Sequence, residues 1–126
     1  MRMPIATRYG DYDTKAHANN AVYLTWFEMA RAEAWVKHLD GSPDFPFIVA
    51  EATVKYVSEA MIGQPLEIEM TTTEVRTKAW VWAYVITDAS DGRVVAEGRT
   101  VQVMYDYDKH ATVPIPDAMR AKLPSL

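Results

Sequence analysis

Two aspartates, a histidine and two asparagines crowd into positions 11 to 20 of this chain: Asp11, Asp13, His17, Asn19 and Asn20. They stand directly ahead of a long apolar segment that contains neither Pro nor Gly. If that segment is a helix, its start offers unpaired backbone N–H groups and a partial positive charge, which can polarise a carbonyl and stabilise the oxyanion that develops on it. A carboxylate beside it can attack the carbonyl or take a proton from an attacking water. Together these groups describe hydrolysis of an acyl group. Each also has a plainer reading. Asp11 and Asp13 are common turn formers, with the structural role the better one for Asp11, and Asn19 and Asn20 suit a helix cap. His17 can serve as a loop hydrogen-bonding group. Asp11, Asp13 and His17 have the donor types of a metal site, but their spacing alone is weak support for one.

The element that must present this loop is read from Ala21 to Leu39, a run of helix formers ended by Asp40-Gly41-Ser42-Pro43, where Gly41 can take the left-handed stop conformation. Val22, Trp26, Ala30 and Ala34 form one stripe. Tyr23, Leu24, Phe27, Trp35 and Leu39 widen it, which predicts a helix wrapped by other structure. A short strand is expected over Met3–Arg8, with a loop from Gly10 to His17. After Pro46 come β segments over 47–57, 66–70, 78–87 and 94–107; Asp91-Gly92 before the last is a hairpin signal. Strand 78–87 is apolar on both faces: Trp80, Trp82, Tyr84 and Ile86 on one, Val81, Ala83 and Val85 on the other. Asp117 could cap a short terminal helix through Leu123. The order predicts an α+β domain over residues 1–126, a curved, largely antiparallel sheet around a long central helix. The two-faced strand adds an expectation of self-association.

Composition narrows the function classes. Thirteen Lys and Arg against seventeen Asp and Glu give a net charge of -4, whereas a general nucleic-acid binder needs a basic surface. There is no cysteine, which removes thiolate metal sites and cysteine nucleophiles. No N-terminal apolar leader and no long uncharged apolar stretch is present, so no membrane partner is expected and the cytoplasm is the simplest location.

The segment Arg8-Tyr9-Gly10-Asp11-Tyr12-Asp13-Thr14-Lys15-Ala16-His17-Ala18-Asn19-Asn20-Ala21-Val22-Tyr23, followed by Phe27-Glu28-Met29-Ala30-Arg31, resembles the hotdog-fold acyl-CoA thioesterases of the 4-hydroxybenzoyl-CoA thioesterase superfamily. DxD, HxNNxxY and FExAR elements follow one another in a single ordered block. Tyr56, Gly63-Gln64-Pro65-Leu66 and Val113-Pro114-Ile115-Pro116 are similar to later family segments, so the likeness covers essentially the whole chain. The resemblance implies a single hotdog domain that hydrolyses an acyl-CoA thioester to free acid and CoA, with no metal or redox cofactor, as a homodimer or homotetramer. It places the catalytic acid on Asp13 and the oxyanion-binding N–H near Asn20. His17, Asn19 and Tyr23 would orient the loop or contact substrate. Many relatives carry Gly just before the motif histidine, where this chain has Ala16; a positive φ there would strain Ala. A noncatalytic acyl-CoA-binding module and a hotdog hydratase are the alternatives.

Other conspicuous residues have bland first readings. Trp26, Phe27 and Trp35 are expected in the core, as are Trp80, Trp82 and Tyr84 ahead of any role in an acyl pocket. Glu28 and Arg31 are expected to pair along the helix or to meet a second subunit. Lys55, Arg76, Lys78 and Arg99 could meet CoA phosphates or stand as solvated strand positions. His38 and His110 have no partner pattern.

Overall fold

The computed structural model describes residues 1–42 and 44–126; Pro43, part of the expected helix stop, lies outside them. Alternating and two-faced apolar patterns produce four long strands, β2 (Phe47–Tyr56), β3 (Leu66–Val75), β4 (Ala79–Asp88) and β5 (Val94–Asp106). A short β1 (Arg2–Pro4) and β6 (Ala111–Thr112) complete an antiparallel sheet in the order β1-β3-β4-β5-β2, with β6 on β5. β1 runs alongside β3 with Arg2 opposite Glu69 and Ile5 donating to the Leu66 carbonyl at 2.8 Å. The first strand is therefore earlier and shorter than Met3–Arg8. Pro4 sits in this edge strand, where its missing N–H does no harm.

The helix α1 (Val22–Ala34) lies on one face of the sheet and continues into a wider turn at Trp35–Leu39, where the amides of Asp40 and Gly41 both donate to the Trp35 carbonyl. The last turn of the expected helix is thus π-helical. Gly41 takes φ 77°, as its stop role requires. Trp26, Phe27, Ala30 and Ala34 are almost wholly buried in one core cluster with Trp80, Trp82, Tyr84 and Ile86 of β4, where Phe27 stacks on Tyr84. The helix is not wrapped all round, however. Leu24 and Val36 are exposed, so the wide apolar arc is covered by this chain on one side only. On the outer face of β4, Val81 is buried while Ala83 and Val85 are half-buried.

Three register irregularities bend the sheet, one in β2 between Val49 and Glu51, one in β3 between Thr72 and Glu74, and one in the β4–β5 pairing at Ile86 and Thr87. This curvature lets it curl round α1, the α+β arrangement expected. The terminal helix α2 (Asp117–Lys122) follows Pro116; Asp117 stands in its first turn and makes no capping bond. It still meets the positive end of the helix dipole there. Among the described residues no helix is long and apolar enough to cross a membrane.

Candidate active site

The segment ahead of α1 is built from backbone hydrogen bonds rather than buried side chains. Tyr9–Asp11 forms a short 3-10 turn, and the Asp11 carboxylate, 2% exposed, takes the Arg8 amide at 2.8 Å and the Arg8 guanidinium at 3.0 and 3.2 Å. Asp11 is therefore spent on holding the turn, as its structural reading required. Asp13 closes the next turn: its amide donates to the His17 carbonyl at 2.8 Å and its carbonyl accepts the Ala16 amide at 3.0 Å. The far side of the loop is tied to the β2–β3 connection, through Ala18 N–H to the Ala60 carbonyl at 2.7 Å and Ile62 N–H to the Ala16 carbonyl at 2.9 Å. Ala16 takes φ 60°, the left-handed conformation that costs an L-residue ~1–2 kcal/mol. The position does require the geometry that suits glycine.

The Asp13 side chain is exposed. Its Oδ1 accepts the amides of Lys15 at 2.8 Å and His17 at 3.2 Å, while Oδ2 has no hydrogen-bond partner among the described residues. The Lys15 amide first, and then the His17 amide, hold its pKa below the ordinary carboxylate value. Asp13 is thus an ionised group with one oxygen anchored and one available.

At the start of the helix the Asn19 Oδ1 accepts the Ala21 amide at 3.0 Å, and the Asn19 carbonyl accepts the Val22 amide at 3.0 Å. In a trans peptide the N–H points opposite to the carbonyl, so the bond from Val22 turns the Asn20 N–H away from the helix. Among the described residues that N–H has no intramolecular acceptor. The Tyr56 hydroxyl donates to the Asn20 carbonyl at 2.8 Å.

Asp13, His17, Asn20 and Tyr23 line one cavity of about 310 Å³, together with Tyr56, Ser58 and Glu59 from the end of β2 and the connection after it. Four of the five residues singled out from the sequence are therefore brought together. Asn19 is not on that wall; its side chain accepts the Ala21 amide in the turn just ahead of the helix. His17 Nε2 stands 3.9 Å from Glu59 Oε2 and its side chain is about a third exposed. Tyr23 is 3% exposed, and burial, with Tyr56 and Tyr12 nearby, raises its hydroxyl pKa. Its ring meets those of Trp26 and Tyr56 edge to face, each at 5.0 Å. Asp13 also borders a second cleft with Tyr9, Tyr12, Ala16 and Ile62.

Tyr56, Ser58 and Glu59 are the wall residues that local sequence reading does not assign to a site. Tyr56 is marked only by family likeness, because its contact with Asn20 spans 36 positions. Arg93 fixes the same connection from β4–β5, donating to Ser58 Oγ and to the Glu59 carbonyl at 2.8 Å. No three of the described His, Asp or Glu side chains are grouped to hold a metal ion.

A family model described as the thioesterase-like superfamily matches residues 7–123, a span that contains the loop, the helix and every cavity residue. The chain belongs to the thioesterase-like superfamily. It is 27% identical to the long-chain acyl-CoA thioesterase FadM of Escherichia coli K12, over 98% of this chain and 96% of that protein. Among solved structures it is similar to a thioesterase from Thermus thermophilus complexed with coenzyme A and Zn, with 25% identity, a TM-score of 0.87, and 98% and 92% of the two chains covered. A predicted thioesterase from Bacillus stearothermophilus matches with 26% identity, a TM-score of 0.89, and coverage of 98% and 93%. These likenesses bear out the hotdog fold and the thioester-hydrolase class expected from the DxD, HxNNxxY and FExAR block.

The remaining sequence expectations divide. Trp26, Phe27, Trp35, Trp80, Trp82 and Tyr84 are all core residues at 1% exposure or less. Glu28 and Arg31 form no ion pair with each other among the described residues and instead line a 320 Å³ cleft with Phe45, Phe47 and Val49. Arg76, just after β3, and Arg99 of β5 are engaged at the surface by Glu74 and Glu51.

Proposed function

We propose that this thioesterase-superfamily chain hydrolyses acyl-CoA thioesters to the free acid and CoA, with Asp13 as the reacting carboxylate and the Asn20 amide as oxyanion donor. The observation that carries the reading is one cavity lined by both: an ionised carboxylate with one oxygen free, and a residue whose backbone donor has no acceptor, among the described residues. As the thioester carbonyl is attacked its oxygen gains charge, and a fixed N–H aimed at that charge lowers the barrier. Asp13 either bonds to the carbonyl carbon or takes the proton of the water that does. In both cases the C–S bond breaks and CoA leaves as the thiolate. In the covalent route, water then cleaves the acyl–aspartyl anhydride and restores the carboxylate.

Around these two groups, Tyr23 gives the cavity a rigid wall against which substrate is held, and His17 orients the loop through its backbone pair with Asp13. Asn19 acts at one remove, by capping the turn that presents Asn20. Self-association as a homodimer or homotetramer fits the exposed apolar positions Leu24 and Val36 on α1 and the turn after it, and Val49, Tyr56 and Val57 on and just after the edge strand β2. Thiol release from short, long and aromatic acyl-CoAs tests the activity. Release with any of them supports it; ligand-induced stabilisation without release makes the chain a binding module, and change of the acyl chain with no free thiol makes it a hydratase. Sedimentation tests the association, and a dilute stable monomer contradicts it.

A further inference from the structure

We propose that Tyr56 is a positioning residue for this hydrolysis, holding the Asn20 amide on the reacting oxygen by way of the Asn20 carbonyl. This rests on the reading of Asn20 given above.

Asn20 joins two peptide planes. The plane before it is fixed by the Asn19 carbonyl on the Val22 amide, at 3.0 Å. The plane after it is held at both ends, by the Ala21 amide on Asn19 Oδ1 at 3.0 Å and by the Tyr56 hydroxyl on the Asn20 carbonyl at 2.8 Å. Two of these three clamps come from within the turn, so they move with it if it shifts. The third comes from the sheet. Tyr56 is the last residue of β2 and is in register with buried Ala96 of β5, so its hydroxyl references the donor to the rigid body of the protein.

Two further observations separate this hydroxyl from a packing group. Tyr56 is 49% exposed, so the core does not need its oxygen. Its ring orientation is set by the edge-to-face contact with Tyr23, with an interplanar angle of 83°, which a phenylalanine would keep. Tyr56 and Asn20 also share the cavity wall. A carbonyl oxygen carries the negative end of its dipole; covering it with an O–H donor removes an acceptor beside the place where an oxyanion forms.

The test compares wild type, Tyr56→Phe and Asp13→Asn on an acyl-CoA that wild type cleaves, following thiol release. Tyr56→Phe should lower kcat about tenfold to a hundredfold, the cost of a misplaced donor, and leave KM within about twofold. The acid limb of its pH profile should stay at the wild-type pH, because the effect runs through backbone and not through Asp13. A kcat within about twofold of wild type overturns the proposal, as does a loss confined to KM or a displaced acid limb. A second measurement is independent of turnover: the Asn20 carbonyl ¹³C resonance should move between wild type and Tyr56→Phe, and an unmoved resonance overturns the clamp. If Asp13→Asn alone loses activity, the Tyr56 proposal falls and the thioesterase reading stands. If wild type cleaves no acyl-CoA, the reading fails and this proposal with it.

Discussion

The face of the sheet beneath α1 and the loop ahead of α1 are held in opposite ways. Under the helix, Phe27 stacks on Tyr84 with ring centroids 4.3 Å apart, and Trp80, Trp82 and Ile86 are sealed from solvent. Side-chain volume sets that geometry. In the loop from Gly10 to Ala21 only Asp11 and Ala18 are buried, and position is set by backbone bonds such as Asp13 to His17, Ala18 to Ala60 and Asn19 to Asp11. Close packing makes the first region intolerant of added volume, whereas the second leaves side chains and one amide without hydrogen-bond partners among the described residues. Close packing is therefore concentrated in one region and unengaged polar groups in the other.

The sharpest way to break this contrast is Asp13→Asn, which keeps the size of an exposed side chain and removes its charge. Turnover should fall by about 10³, within the range for loss of a positioned acid or base, with the urea midpoint almost unchanged. Wild-type rates in this variant would remove Asp13 from the reaction.

Gly98→Ala probes the other side. A Cβ there would overlap Phe27 Cζ and Cε2 and stand 3.1 Å from the Thr53 carbonyl oxygen, with the Phe27 ring already pressed on Tyr84. Urea unfolding should show a loss of about 1–3 kcal/mol, with kcat per folded molecule close to wild type. An unchanged midpoint would show that the interior yields more than its packing suggests.

Ala16→Gly carries the comparison into the loop. Glycine relieves the φ of 60° at some cost in unfolded-chain entropy, for a net gain of about 1 kcal/mol. Denaturant melts should detect it. A destabilised variant would mean that the Ala16 methyl packs usefully against the cleft it borders.

The smallest expected effect is on pH. The Lys15 and His17 amides favour the charged form of Asp13, so its folded pKa lies below its unfolded value. Such a group contributes stability above the unfolded pKa and loses it as pH falls through the folded one. Its charged form likewise persists throughout neutral and mildly acid conditions. The acid limb of kcat/KM should therefore lie below the ordinary aspartate value of ~3.9, leaving the rate flat from neutrality to about pH 5. A limb between about pH 6 and 7 would make an imidazole the group that matters.

Legibility followed interaction range. The α1 stripe, the Gly41 stop and the β2–β5 segments are local patterns, most of them repeating at 3.6 or 2 residues, so short windows suffice to see them. Asp13, His17, Asn20 and Tyr23 are visible because they lie within eleven consecutive positions, ordered as in a family motif. Asn19 is visible too, but only coordinates place its side chain on the Ala21 amide. The Glu28–Arg31 pairing fails because helical spacing makes such a pair available without making it form. Arg31 lies instead beside Phe45, Phe47 and Val49, which only the packed sheet brings near.

The order and type of the elements and the chemical types gathered ahead of the helix are therefore legible along the chain, since both are properties of sequence neighbours. The fold settles that, among the described residues, the Asn20 amide is left without an acceptor, that Asp13 keeps one oxygen free, and that Tyr56 reaches across from β2. A hydrogen bond is decided within a few tenths of an ångström, and a bond between partners 36 positions apart depends on how the whole sheet curls.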